Sequence, residues 1–206
     1  MTNDTAWVAA GATVALLLAY EAGSAWAERR RPERLARSAH ARLREAWFTA
    51  VSEHAGSEIL AVQTLRNSLM SATMTASSAA LGLVASLTLA VPSLHDSVVK
   101  DWSPQLALEL VLIALLFTSL VASAMAVRYF NHAGFICGMP TDSPARQQWA
   151  HQGTAYVRRA GLLYSWGLRQ LVLVAPIMAA LLHPLAGPPA ALAVIAVLVG
   201  FDRIAA

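Results

Sequence analysis

The sequence has little charge. Only 13% of its 206 residues are Asp, Glu, Lys or Arg, against about 25% in a typical soluble domain. It has one cysteine, Cys137, which excludes an intrachain disulfide and a cysteine-cluster metal site within one chain. It also lacks the alternation of apolar and polar residues that marks membrane strands. No Gly-rich phosphate loop, nucleophile elbow or paired-His metalloprotease motif is present. His40, His54, His132 and His151 lack metal-ligand spacing, and no cofactor is expected. What is present is apolar: 57% of residues are hydrophobic and mean hydropathy is +0.52. Apolar stretches of about eighteen residues or more indicate bilayer-crossing helices.

The expected fold is all-α: a polytopic transmembrane bundle of about five spans, forming a single membrane domain over residues 1–206. The spans fall at about residues 6–26, 65–91, 105–128, 160–183 and 188–204. Pro92 ends the second, Pro104 opens the third, and His183-Pro184 ends the fourth. The short "HPLAGPP" makes the last two a tight hairpin. The first span ends in Ala25-Trp26-Ala27, like a signal-peptidase site. Residues 1–6 carry no Lys or Arg, however, so the positive leader region is missing and the span reads as retained.

Two segments, about 28–64 and 129–159, are expected on the cytoplasmic side. Together with Arg66, Arg128, Arg169 and the C-terminal end they hold fourteen of the fifteen basic residues. Only Lys100 lies on the other side. By the positive-inside rule this places the protein in the plasma (cytoplasmic) membrane, the cell inner membrane, with its N-terminus outside and its C-terminus in the cytoplasm. The same topology explains the net charge of +3 and pI of about 9.5 without a nucleic-acid partner. Basic stretches beside a membrane also attract anionic lipid heads.

Residues 33–54 read as an amphipathic helix. Leu35, Ala39, Leu43, Ala46, Trp47, Ala50 and Val51 recur at helical spacing, with Arg34, Arg37 and Arg44 on another face. Gly56 is a stop signal and Ser57 a new cap. Ser143-Pro144 is a cap followed by a first-position proline, and the helix begun there runs through Gly153 into the fourth span. Pro176 predicts a kink in that span.

The second span carries the most informative pattern. Thr64, Ser68, Ser71, Thr75, Ser78, Gly82 and Ser86 recur at steps of three and four, so they share one helix face. Met70, Met74 and Leu81 lie on another, with Ser77 beside them. Small polar stripes serve close helix packing, with hydroxyls bonded across helices or to their own carbonyls. They also line aqueous pathways. Spacing alone leaves both open. Ser119 and Ser123, with Ala122 and Ala126, give the third span a small-residue face suited to packing on the second.

Ionisable groups gather near the inner boundary. After Arg169-Gln170 the apolar run "LVLVAPIMAALL" has only twelve residues. At about 1.5 Å per residue this is roughly 18 Å, short of a hydrocarbon core of roughly 30 Å. Arg169 therefore lies below the surface, and Glu21, at comparable depth, is its expected ion-pair partner. Arg66, Asn67, Arg128 and Arg169 are candidates for a basic cytoplasmic mouth, with Thr64, Ser68, Ser71, Thr75 and Ser78 as pore-lining candidates. Glu109, one turn into the third span, either snorkels outward or marks an outer mouth.

"ILAVQTLRNSLMSATMTASS", "VRYFNHAGF" and "GLLYSWGLRQLVLVAPIMAALLHPLAGP" together resemble the domain of unknown function 599 family of integral membrane proteins. The resemblance runs from about residue 8 to residue 204, and Arg66-Asn67 followed by small polar residues is its most specific part. It implies membrane location and span order, draws notice to Arg66, Asn67, Arg128, Tyr129 and His132, and carries no activity.

Three functions compete. The first is a homo-oligomer forming an ion or small-solute pathway, a channel with a basic cytoplasmic mouth. The second is a non-conducting scaffold or accessory subunit whose stripe is a dry seam. The third, a membrane enzyme acting on lipid, has only Tyr129, Asn131 and His132 to offer, so no catalytic residue is assigned. The first is the expectation taken forward.

Overall fold

The computed structural model describes residues 2–30, 35–97 and 102–202, and these are helical with short connections. Seven α-helices follow in order: α1 (Asn3–Arg30), α2 (Ala36–Glu53), α3 (Glu58–Ser97), α4 (Pro104–Cys137), α5 (Pro144–Val172), α6 (Val174–Leu182) and α7 (Gly187–Asp202). A 3₁₀ turn, Pro184–Ala186, joins α6 to α7. Five helical stretches are long and apolar enough to cross a membrane: Asn3–Arg30, Glu58–Thr88, Pro104–Cys137, Pro144–Leu182 and Pro184–Asp202. The protein is a multi-pass helical membrane bundle.

The helices outrun the expected spans. α3 passes Pro92 to Ser97, so that proline does not end it. α4 continues nine residues past Arg128 to Cys137, which puts Tyr129, Asn131 and His132 on a helix. Ser103 and Ser143 cap α4 and α5. Their hydroxyls accept from the N–H groups of Leu106 (3.1 Å) and Arg146 (3.2 Å), with proline at the first helical position in both. α5 does run from that cap through Gly153 into the fourth span. The helix then breaks at Leu173, one turn before Pro176. The proline ring displaces the carbonyl four residues back, so the ladder is interrupted at that point.

Gly56 separates α2 from α3 with a φ of +87°, a left-handed conformation that glycine adopts without steric cost. Ser57 stands at the expected cap position of α3, where its carbonyl accepts from Ala61 N–H at 2.9 Å, but its side chain serves the other helix. Its hydroxyl donates to the carbonyls of Val51 and His54, both at 2.7 Å, and so closes the end of α2.

α4 is the central helix, with α3 on one side and α5 on the other. Two cores form along it. At the end of the bundle that carries α2, Phe48, Leu65, Phe130, Ile136 and Val157 pack together. In the other half, Leu17, Leu108, Leu112, Leu116 and Ile177 do so. α1, α6 and α7 surround that second core. A Cβ on Gly187, at the start of α7, would overlap the Thr13 side chain of α1. The buried Thr13 hydroxyl bonds to its own helix, to Ala9 O at 2.8 Å.

Two expected faces are rotated. In α2 the buried residues are Ala41, Phe48 and Val51, while Leu43 is 65% exposed and Ala46 and Ala50 are also exposed. The partner helix explains this. α5 presents Gly153 beneath the Phe48 ring and Gly161 beneath the Arg44 guanidinium, and a Cβ at either glycine would overlap those groups. Notches on α5 thus choose which α2 residues are buried. Burial pushes the Arg44 guanidinium below its ordinary pKa. Arg34, assigned with Arg37 and Arg44 to another face, lies outside the described residues, as does Lys100. In α4, Ser119 and Ser123 face α5 and not α3. Ser119 Oγ donates to Gly167 O at 2.7 Å, and a Cβ on Gly167 would come within 2.6 Å of Ser123 Oγ.

Candidate functional site

The seam that α3 buries is made of alanine and leucine. Ala61, Ala72, Ala79 and Ala90 are fully buried and Leu65 nearly so. At about 100° per residue, the hydroxyl stripe lies on one flank of that seam. Thr75 sits at the margin, 7% exposed. Ser68, Gly82 and Ser86 are half-buried, and Thr64, Ser71 and Ser78 are exposed. Gly82 packs on the Leu116 side chain of α4. On the opposite flank, Leu69 and Leu83 pack against the two cores. The stripe therefore straddles the edge of the subunit: Thr64, Ser71 and Ser78 face away from it, while Thr75, Ser68, Gly82 and Ser86 are wholly or partly covered by it. Met70, Met74 and Leu81, 56–74% exposed, occupy a third face.

Four of the hydroxyl protons are already used. Thr64 donates to Leu60 O (2.9 Å), Ser68 to Thr64 O (3.2 Å), Ser71 to Asn67 O (3.1 Å) and Thr75 to Ser71 O (3.0 Å). Each bond reaches one turn back along α3, so the hydroxyl needs no partner from another helix. The oxygen lone pairs still face outward, and this flank of α3 presents hydrogen-bond acceptors.

Arg66 and Asn67 are exposed beside the start of the stripe. Arg66 borders a shallow groove with Glu58, Ile59, Val62, Gln63 and Gly138. The Glu58 carboxylate is occupied: one oxygen accepts from the N–H (3.1 Å) and the hydroxyl (2.5 Å) of Thr141. That contact ties the start of α3 to the α4–α5 turn. Arg128 is exposed on α4.

Arg169 does not join them. It is 5% exposed and belongs to a cluster made by α1, α5 and α7. Its Nη2 donates to both oxygens of Asp202, at 2.7 and 2.6 Å, and its Nη1 to Ser24 Oγ at 2.7 Å. The guanidinium carbon lies 5.4 Å from the Tyr20 ring centroid, and Tyr20 OH donates to Asp202 Oδ2 at 3.2 Å. The expected Glu21–Arg169 pair is thus replaced by Asp202–Arg169. Glu21 is part-buried nearby, and its Oε1 makes no hydrogen bond. The signal for Asp202 was its position in the last turn of the fifth span, at the same depth as Arg169. Glu21 shares that depth, and helix rotation decides between them.

Glu109 is also buried, 9% exposed, and accepts from Gln105 Nε2 at 2.9 Å. It neither snorkels nor opens a mouth within this chain. Tyr156 of α5 lies between Tyr129 and His132 of α4, with ring centroids 5.7 Å from each. Among the described residues, no three His, Cys, Asp or Glu side chains gather as a metal site would require.

A functional group that spacing did not single out is Arg146. It is 1% exposed and reaches back from the first turn of α5 to the Ile136 carbonyl at the end of α4. It also donates to Ser52 Oγ of α2 at 3.2 Å. Its guanidinium carbon lies 5.8 Å from the Phe48 ring centroid. The turn "MPTDSP" folds α5 back along α4 and so brings this side chain inward, a consequence that periodicity within one helix does not reveal.

The chain belongs to the family described as protein of unknown function, DUF599, whose model matches residues 8–206. No curated protein and no solved structure matches it.

Proposed function

We propose that this chain is one subunit of a homo-oligomer of the plasma (cytoplasmic) membrane, with its N-terminus outside and its C-terminus in the cytoplasm, that forms an ion or small-solute pathway. The outward flank of α3 faces the symmetry axis, and the pathway is a channel. The observation that carries this reading is the exposure of Thr64, Ser71 and Ser78 on the outer edge of the stripe, whereas the pore-lining candidate Thr75 is buried and Ser68 half-buried against their own subunit. Lipid tails offer nothing to a row of oxygen acceptors, whereas water and hydrated solutes do. Arg66 and Asn67, with Arg128 on the neighbouring helix, form the cytoplasmic mouth and raise local anion concentration there. Arg169 is not part of that mouth, because Asp202 neutralises it. The pathway needs no covalent chemistry, no cofactor and no nucleic acid.

The test is solute flux through purified protein in liposomes. Arg66→Glu should change which ions pass, and cysteine at Ser71 should cross-link copies. Absence of flux above empty liposomes, over varied ions, pH and voltage, would overturn the proposal.

A second reading is favoured by the back-bonded hydroxyls. Because they are satisfied without water, the same face can close as a dry seam in a scaffold or accessory subunit. Cross-linking at Ser71 without flux selects that reading.

A further inference from the structure

We infer that the cleft between α2 and α5 binds a phosphate group against the Arg146 guanidinium. This does not depend on whether the protein conducts.

The argument starts from charge. Arginine stays protonated in proteins, and Arg146 is 99% buried by its 1% exposure. Its partners among the described residues are neutral: the Ile136 carbonyl, the Ser52 hydroxyl and the Phe48 ring. No carboxylate lies within ion-pair distance of it there, and its Nε makes no hydrogen bond. A buried cation without a counter-charge is costly, and an anion that pairs with it relieves that cost. The end of α4 offsets part of the charge, since its last carbonyls carry partial negative charge.

Arg146 also borders a void. It lines a cleft with Ser52, Glu53 and His151. That cleft continues along the α2–α5 seam past Arg158 and Arg159, sharing Thr49, His151 and Thr154 along the way. The chemistry of the walls favours an oxyanion. Ser52 accepts from Arg146 and so keeps its own proton to donate. Thr49 and Thr154 spend theirs on Glu45 O and Ala150 O. Arg159 is exposed at the far end, and Arg158 is engaged by Glu45 at 3.2 Å. α5 has no acidic residue in its first turn, so the positive end of this helix keeps its charge beside the cleft. Two carboxylates oppose an anion: the exposed Glu53 in the wall beside Arg146 and, farther along, Glu45, which Arg158 engages. Phosphate matches the set because it accepts several bonds at once from a guanidinium and a hydroxyl. It can arrive on a soluble compound or as a lipid headgroup.

The experiment uses the full chain in nanodiscs. One arm titrates inorganic phosphate into discs of an uncharged galactolipid, which carries no phosphate. The other compares discs with and without phosphatidic acid, reading the unfolding temperature. Saturable phosphate binding is expected in the first arm for a soluble ligand, and a raised unfolding temperature in the second alone for a lipid headgroup. Glu53→Gln, an exposed change, should tighten binding by about fivefold through loss of like-charge repulsion. Ser52→Asp supplies a carboxylate beside Arg146 and should abolish binding in a protein that still folds. No response in either arm overturns the inference, and so does an affinity that Glu53→Gln leaves unchanged.

Discussion

Arg169 of α5 and Asp202 of α7 are held together by two hydrogen bonds from one guanidinium nitrogen, at 2.7 and 2.6 Å. The contact joins residues 33 positions apart in sequence, and Ser24 ties α1 to the same guanidinium. Removing Asp202 leaves a buried cation, and Asp202→Ala should lower unfolding stability by about 2–3 kcal/mol. That is below the full loss for a buried pair because the Asp202 side chain is 25% exposed. Glu21→Gln should change stability by about 1 kcal/mol or less, since Glu21 is not the partner. Denaturant unfolding of both variants in micelles checks this, and a larger loss in Glu21→Gln would restore the Glu21–Arg169 pair.

The fit of Phe48 over Gly153 locks α2 to α5. Gly153→Ala should cost about 1–3 kcal/mol by overpacking, and Phe48→Ala about 3–5 kcal/mol through the cavity it leaves. Both should release α2 before the bundle unfolds. Limited trypsin digestion reads this directly, as faster cleavage at Arg42 and Arg44. Unchanged cleavage in both variants would place the anchor of α2 elsewhere.

Glycines along the membrane helices should separate into two groups. Gly167 meets Ser123 Oγ and the Ser119 backbone, so Gly167→Ala should destabilise the α4–α5 contact by about 1–3 kcal/mol. A Cβ on Gly23 meets nothing within 4 Å. Gly23→Ala should be neutral or stabilise by up to about 1 kcal/mol, because alanine is the better helix former. Thermal unfolding of the pair in one detergent gives the comparison, and equal effects would refute the close approach at Gly167.

Accessibility should follow the faces of α3. In a Cys137→Ala background, cysteine at Ser71 or Ser78 should react with a membrane-impermeant thiol reagent and reduce flux in the proposed assembly. Cysteine at Met74, on the 70% exposed apolar face, should stay unreactive in lipid. Reaction at Met74 and none at Ser71 or Ser78 would exchange the two faces.

Much of the fold is legible in the chain because lipid imposes one demand on every residue within it. Backbone groups must be satisfied inside the helix, so long apolar runs announce the spans. Local chemistry announces the cap at Ser143, the stop at Gly56 and the break before Pro176. The ordering of Thr64 through Ser86 on one face of α3 is legible for the same reason, since 100° per residue is a property of the helix itself.

Facing and partnership are different, because they depend on contacts between distant segments. Glu21 and Asp202 lie at one depth, and the rotation of α1 and α7 against α5 selected Asp202. Leu43 and Phe48 are both apolar residues of α2, and the notch at Gly153 selected Phe48. Ser119 and Ser123 turned to Gly167 and not to α3, because a glycine lets the backbone come close enough for the Ser119 bond. Arg146 became a buried, unmatched cation only when the α4–α5 turn folded back. Sequence determined which residues share a helix face. Tertiary structure decided what each face meets, because burial and pairing are set by the shape and charge of the helix opposite.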